Sequence, residues 1–350
     1  MLNTQLGRLI PLLVLILVAI LASSIDLSRT SAAQDPETSY EDLVQEGKNL
    51  YRQHRYDDAL KRFKRANELR DKKSAECYSW LSETYMALEA YKNVIDAAER
   101  VIEFAGDDRQ LLFKAYNNKG LALQASAAKK DQKKLEAAEA TFRQAVTLGN
   151  APAILHYNLG VSLMQLNRDE EGVAEVKQYL KMDPRGAYSE MGRKLVENPR
   201  RARENFAPDF SFTSAQGEYI SLEDLKGKVV MLDFWATWCG PCVASVPDIR
   251  NLYKRYADQP FVLIGISSDH DEGAWRQFTE KNKMVWPQYL DEDRRIQRLF
   301  NVRAFPTYVL IDYEGIVQMQ SIGFSWARAA SLDDAIKKQM KIVAKSTEAR

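Results

Sequence analysis

FWATWCGPC, Phe234 to Cys242, sets two thiols three positions apart behind an aromatic run, in a 350-residue chain with only three cysteines. Such a pair serves either a metal or a redox couple. A structural zinc takes four protein ligands. Cys239 and Cys242 supply two, and the other donors are the remote Cys77 and three scattered histidines, so no metal site is expected. The residues ahead of the pair, VVMLDFW (Val229 to Trp235), are apolar, β-branched and aromatic, as in a strand. Pro241 suits the first turn of a helix. A C-x-x-C pair between a strand end and a helix start reads as a dithiol–disulfide couple. Cys239 then meets the unpaired N–H groups and dipole of the helix, which favour a thiolate and lower its pKa towards about 7. That thiolate attacks a substrate disulfide, and Cys242, one turn further in, resolves the mixed disulfide. Gly240 leaves the first sulfur accessible.

Working outward, FVLIGIS (Phe261 to Ser267), TYVLID (Thr307 to Asp312) and IVQMQSI (Ile316 to Ile322) are further strands, the last two a hairpin turning at Tyr313 to Gly315. Helical segments are expected at Pro247 to Tyr256, Gly273 to Lys283, Arg294 to Phe300 and Leu332 to Val343. Strands alternating with helices, closed by a hairpin, give a mixed sheet with helices on both faces. Asp233 interrupts a strand otherwise apolar enough to be buried on both faces. Burial there raises its pKa and makes it a proton acceptor near neutral pH. The alternative is an aspartate held by local hydrogen bonds. Trp235 and Trp238 read as core and rim packing first, with recognition second. His270, in a loop beyond a strand end, reads as solvated.

The amino-terminal half has a different period. Gly47 is followed by Ala59, Phe63 and Ala66; Ser82 by Val94, Ala98 and Val101; Gly120 by Ala138, Phe142 and Ala145; Gly160 by Gly172, Val176 and Tyr179. The small residues recur at intervals of 35, 38 and 40, close to the 34 of tetratricopeptide repeats. YRQHRYDDALKRFKRANEL and YNLGVSLMQLNRDEEGVAEVKQYLKMDP carry the pattern best, and the stretch from Tyr40 to Pro184 resembles four degenerate repeats. The second unit lacks the small residue before Ala98, and the third is stretched around Ala125 to Lys134. The resemblance implies a concave surface that binds a protein or peptide whose identity is unknown. Cys77, among Tyr78, Trp80 and Leu81, reads as a small buried hydrophobe, with regulatory pairing as the minor alternative.

The formal net charge is +1, with no basic run interleaved with aromatics, so nucleic acid is not an expected partner. The start is not globular: LIPLLVLILVAILA, Leu9 to Ala22, follows Arg8 and reads as an export signal with a cleavage site at Ser31-Ala32-Ala33. The alternative is an uncleaved membrane anchor over residues 9–25 that leaves the protein facing the extracytoplasmic side. Either way the thiols are expected in a compartment where disulfides persist. Pro199 and Pro208 bracket a boundary. The expected organisation is residues 1–33 signal or anchor, 40–184 repeats, 185–205 capping helix and linker, and 206–345 the redox domain.

APDFSFTSAQGEYISLEDLKGKVVMLDFWATWCGPC, with the later FPTYVLID, resembles the exported thioredoxin-like (TlpA/ResA-type) thiol–disulfide oxidoreductases over Phe206 to about Ala344. The implied fold is multidomain: all-α repeats, then an α/β thioredoxin-like domain with a mixed central sheet, flanking helices and an extra hairpin, here FSFTSAQGEYISL. The resemblance implies a redox-active Cys239–Cys242 disulfide, a substrate-binding surface at Trp238, Gly240, Pro241 and Phe305, and a cis proline at Pro306. The alternative for Pro306 is a trans proline opening an edge strand. Many exported relatives carry a glutamate three residues after the second cysteine, where Ser245 stands. Asp233 matches the acidic position of thioredoxin itself, where many exported relatives carry asparagine. The expected function is reduction of protein disulfides without a cofactor, in the bacterial periplasm, fed by a membrane electron-donor protein. Gly240-Pro241 favours reduction, at a potential nearer the roughly −270 mV of thioredoxin than the about −120 mV of a strong oxidant. Two other readings stand beside it. One is a repeat-based scaffold with a non-catalytic thioredoxin-like domain, against which the intact WCGPC argues. The other is a peroxiredoxin-like antioxidant, which APDF suggests but whose P-x-x-x-T-x-x-C setting FWATWCGPC lacks.

Overall fold

The computed structural model describes residues 38–127, 131–323 and 325–348. The expected signal or anchor, with its cleavage site, lies outside the described residues. Among the described residues no helix is long and apolar enough to cross a membrane. The chain divides into two units, the first ending at Val196 and the second beginning at Glu197.

In the first unit, small residues let helices approach closely in pairs. The pairs are α1 (Tyr40–Arg52) with α2 (Tyr56–Glu68), α3 (Ala75–Ala87) with α4 (Tyr91–Phe104), α5 (Arg109–Ser126) with α6 (Gln132–Thr147), and α7 (Ala153–Gln165) with α8 (Asp169–Met182). A Cβ on Gly47 would stand 2.5 Å from Phe63 Cε1, and one on Gly120 would stand 2.5 Å from Phe142 Cε1. Both rings are fully buried, each worth about 1.5–3 kcal/mol of transfer free energy. Ser82 is buried at the equivalent place in the second pair, with Val94, Ala98 and Val101. Apolar clusters then join consecutive pairs. Leu43, Val44, Ala66 and Cys77 bind the first to the second, and Ala138, Phe142, Leu155 and Leu159 bind the third to the fourth. Each pair therefore buries its open face on its neighbour, as stacked repeats do. Cys77 is wholly buried, its Sγ 3.7 Å from the Tyr40 hydroxyl, and burial pushes its thiol pKa up. A short helix, α9 (Ser189–Glu197), follows.

The second unit is built on a five-stranded sheet in the order β5-β4-β3-β6-β7. Its strands are β3 (Val229–Trp235), β4 (Phe261–Ser267), β5 (Gln288–Leu290), β6 (Thr307–Ile311) and β7 (Val317–Ile322). β3, β4 and β5 run parallel, while β6 is antiparallel to β3 and β7 to β6. A separate hairpin, β1 (Ser211–Thr213) with β2 (Tyr219–Ser221), precedes them. The helices are α10 (Gly240–Arg255), α11 (Glu272–Lys281), α12 (Arg295–Leu299) and α13 (Trp326–Glu348).

Every residue of β3 is buried, and its side chains alternate between two cores. Val230, Leu232 and Phe234 join Phe210, Phe212 and Ile220 of the hairpin region and Ile296 of α12. Val229, Met231 and Trp235 join Val246, Ile249 and Leu252 of α10 and Leu332, Ile336 and Val343 of α13. Asp233 belongs to the second of these faces. At the entry to the unit, Arg200 makes paired hydrogen bonds to Glu314 (2.7 and 3.0 Å) and to Glu204, tying the connector to the β6–β7 turn.

Three elements depart from the sequence reading. The helix start expected at Pro241 and the helical segment expected at Pro247 to Tyr256 are one continuous helix from Gly240, which carries Pro247 within it on the exposed side. β5 has three residues, too few to show a period. The last helix extends beyond Leu332 to Val343 at both ends.

Candidate active site

The site starts where β3 ends. Trp235 closes the strand, Ala236 is buried, and Thr237 turns the chain. That turn is clamped by Asp269, itself buried just past β4. Both of its carboxylate oxygens accept from the Thr237 N–H at 3.1 Å, and Oδ1 accepts from Thr237 Oγ1 at 2.6 Å. Ser267 Oγ donates to Asp269 Oδ2 at 2.6 Å, so the carboxylate is held from both strands. The turn delivers Cys239 to the N-cap of α10 in an extended conformation, with Sγ accepting from the Cys242 N–H at 3.2 Å. A helix N-terminus supplies such unpaired N–H groups to an anionic sulfur.

Cys239 and Cys242 form a disulfide with Cα atoms 5.2 Å apart. Both sulfurs belong to the α10–α13 core, while Gly240 and Pro241 between them are exposed and space beside Gly240 is open. Trp238 is 63% exposed and meets the Phe305 ring edge to face at 5.7 Å. Phe305 in turn packs against the cluster that holds both cysteines, and the Phe305–Pro306 peptide is cis. Trp235, by contrast, is core. Trp238, Gly240 and Pro241 thus form an exposed rim, with the half-buried Phe305 beside it, over Cys239 and Cys242. Both cysteines are buried, so the disulfide form does not show the accessible first sulfur expected from Gly240.

Behind that surface lies a polar chain. Ser245 Oγ donates to the Cys242 carbonyl at 2.7 Å, and the Tyr308 hydroxyl donates to Ser245 Oγ at 3.1 Å. Tyr308 stands beside Asp233 in the sheet register. Asp233 is 4% exposed, and its Oδ1 has no hydrogen-bond partner among the described residues. Burial pushes its pKa up to about 7. Burial also raises the Tyr308 phenol well above its ordinary range, and the Asp233 charge adds to that.

Two site residues, Asp269 and Tyr308, escape the sequence reading. Their signals were present: two hydroxyls before Asp269 at a strand end, and a phenol inside the apolar TYVLID. Their partners lie 32 and 63 residues away, so spacing alone cannot assign them. His270 is exposed, and among the described residues no group of three or more His, Cys, Asp or Glu is placed to hold a metal ion.

Residues 204–320 match the AhpC/TSA family, and residues 153–185 match a tetratricopeptide repeat. The thiol-disulfide oxidoreductase ResA of Bacillus anthracis is 37% identical over 117 residues, covering 33% of this chain and 68% of that protein. The thioredoxin-like protein YneN of Bacillus subtilis (strain 168) is 38% identical over 119 residues, covering 33% of this chain and 69% of its own length. Among solved structures, a thiol:disulfide interchange protein of the thioredoxin family from Chlorobium tepidum TLS is 27% identical. The match covers 39% of this chain and 97% of that one, with a TM-score of 0.37.

Proposed function

The chain belongs to the thioredoxin-like thiol–disulfide oxidoreductases of the ResA type, and on that premise we propose that it reduces protein disulfides outside the cytoplasm through the Cys239/Cys242 dithiol. The observation that carries this reading is a C-x-x-C pair at a helix N-cap, beneath an exposed tryptophan and in front of an orphaned buried carboxyl.

In the proposed cycle, the Cys239 thiolate attacks one sulfur of a substrate disulfide and the other leaves as thiolate. Asp233 takes the proton of Cys242, directly or through water. Cys242 then attacks the Cys239 sulfur, forming the Cys239–Cys242 disulfide and releasing the second substrate thiolate. Two electrons pass from the dithiol to the substrate, and a membrane electron-donor protein returns them. Trp238 and Phe305 form the surface that receives an extended peptide, with Pro306, the next residue in the chain after Phe305, buried. The repeat array selects or holds the protein partner. Export by the apolar amino-terminal segment places the dithiol in the periplasm.

The test is mechanism-based trapping. Cys242→Ser should accumulate mixed disulfides with protein partners, and Cys239→Ser should form none; equal trapping by both would refute the assigned order. Deleting the array should spare reduction of small disulfides while changing the trapped partners. Insulin disulfide reduction without matching peroxide consumption separates this activity from a peroxidase, and absence of both would leave the scaffold reading.

A further inference from the structure

Four residues form one row across the sheet: Gln288 on β5, Gly265 on β4, Asp233 on β3 and Tyr308 on β6. Residues paired in register project to the same face, here the one that packs on α10 and carries the cysteines. Gly265 contributes no side chain to the row. The place its Cβ would take is filled by the carboxamide of Gln288, with Cδ and Nε2 each 2.7 Å from that point and Oε1 closer. The carboxamide therefore reaches across Gly265 to within about one strand spacing, roughly 4.8 Å, of the Asp233 position.

Gln288 is 1% exposed. Neither Oε1 nor Nε2 has a hydrogen-bond partner among the described residues, and the same holds for Asp233 Oδ1. Buried polar atoms are nearly always partnered, so three orphans in one row, with no direct bond among them, point to one another across a single water. Three indole N–H groups of the same core, at Trp235, Trp275 and Trp286, are also unpartnered among the described residues, but each can only donate, whereas Gln288 lies in the row of Asp233 and can both donate and accept. Facing Asp233, β6 presents the Tyr308 phenol, which donates to Ser245. α10 presents Cys242, which is disulfide-bonded, and Asp248, which acts on Tyr308. Among the described side chains of α13 the buried ones are Leu332, Ile336, Gln339 and Val343, none of which titrates.

We propose that Gln288 is a positioning residue for Asp233: its carboxamide, laid across Gly265, engages the Asp233 carboxyl through a bridging water and sets the pH at which that group accepts the Cys242 proton. The chemistry suits a group that must gain and lose a proton in every cycle. Through that water a carboxamide donates from Nε2 towards the carboxylate and accepts at Oε1 from the carboxylic acid. An ammonium in its place would favour only the ionised form, and an apolar side chain only the neutral one. The inference rests on the proton-acceptor reading of Asp233.

The experiment is a carbon-13 NMR titration of the Asp233 carboxyl in the oxidised protein, where neither active-site cysteine titrates, together with the pH profile of the resolving step. Gln288→Leu removes the carboxamide from both forms and should move the Asp233 midpoint upward by about one pH unit, the excess of a hydrogen bond to a charge over one to the neutral acid. The kinetic profile should move with it. Gly265→Ala leaves Gln288 in place but pushes the flexible carboxamide off its seat, so it should shift the midpoint in the same direction. It also serves if the leucine variant fails to fold. Placed in the Asp233→Asn background, neither substitution should move the kinetic profile. An Asp233 midpoint unmoved by both single variants, or moved downward, would overturn the role of Gln288 while leaving Asp233 as acceptor. A wild-type midpoint in the ordinary carboxylate range would instead overturn the Asp233 reading itself.

Discussion

Replacing Asp233 with asparagine removes one titrating group and keeps its shape, so the consequence can be worked out. The folded-state pKa is about 7 against an ordinary 3.8, and burial alone is the cause. Below about pH 4 the carboxyl is protonated whether the chain is folded or not, so the wild type carries no ionisation penalty there. Between about pH 4 and 7 the unfolded carboxyl ionises while the folded one stays neutral, and the wild type loses about 1.4 kcal/mol per pH unit. Above pH 7 both forms ionise and the loss levels off at about 4 kcal/mol, the product of a shift of about three units and that slope. Asp233→Asn escapes this loss, so its stability advantage should grow from pH 4 to 7 and then stay constant. With an m-value of about 2 kcal/mol/M, the plateau corresponds to a rise of about 2 M in the urea midpoint. Five of the six tryptophans (Trp235, Trp238, Trp275, Trp286 and Trp326) lie beyond Val196, so fluorescence follows chiefly the second unit. Rapid mixing on the same variant should show slowed resolution and near-normal initial attack. A stability difference independent of pH between 3 and 9 would refute the raised pKa, and an unchanged resolution rate would refute the proton-acceptor role.

Two further outcomes follow from packing. Asp269→Ala strands the Thr237 N–H and hydroxyl beside a buried site; it should cost about 2–3 kcal/mol of denaturant stability and raise hydrogen exchange at Thr237. Unchanged exchange there would mean that the turn is held by other contacts. Phe142→Ala empties the space over Gly120 and should cost the first unit about 3–5 kcal/mol, read from the thermal loss of helical circular dichroism. A loss below about 1 kcal/mol would mean that the neighbouring pairs close over the gap.

What the sequence made legible was what repeats or interrupts locally. The alternation of small and large residues between paired helices appears in Gly47 with Phe63 and in Gly120 with Phe142. The strand ending in Trp235 could be read because six of its seven residues are suited to burial, and Asp233 stood out against them. Pro241 marked the helix start, because proline is favoured in the first turn of a helix, while Pro247 hid the continuity of the segment that follows. Its missing donor is tolerated within α10, where it faces outward. The residues left unread, Tyr308, Asp269 and Gln288, take their meaning from strand pairing. Register is set by packing across the sheet rather than by neighbours along the chain.

The substitution of serine at position 245 gives that hidden register its chemical weight. Where the resemblance expects a glutamate, Ser245 and Tyr308 form a neutral hydrogen-bonded pair that ends on the Cys242 carbonyl. Such a pair can order the first turns of α10, but neither hydroxyl accepts a thiol proton near neutral pH, and the Tyr308 phenol is shifted away from that range. On this face of the sheet the shifted carboxyl is Asp233, and its pKa is raised by burial with no charged partner opposing it. A group tuned by desolvation alone is sensitive to every polar atom brought near it. The absence of a side chain at Gly265 admits one such group, the Gln288 carboxamide. Control of the resolving step would then lie two strands away from the strand that carries the carboxyl, in a residue that no motif around the cysteines contains.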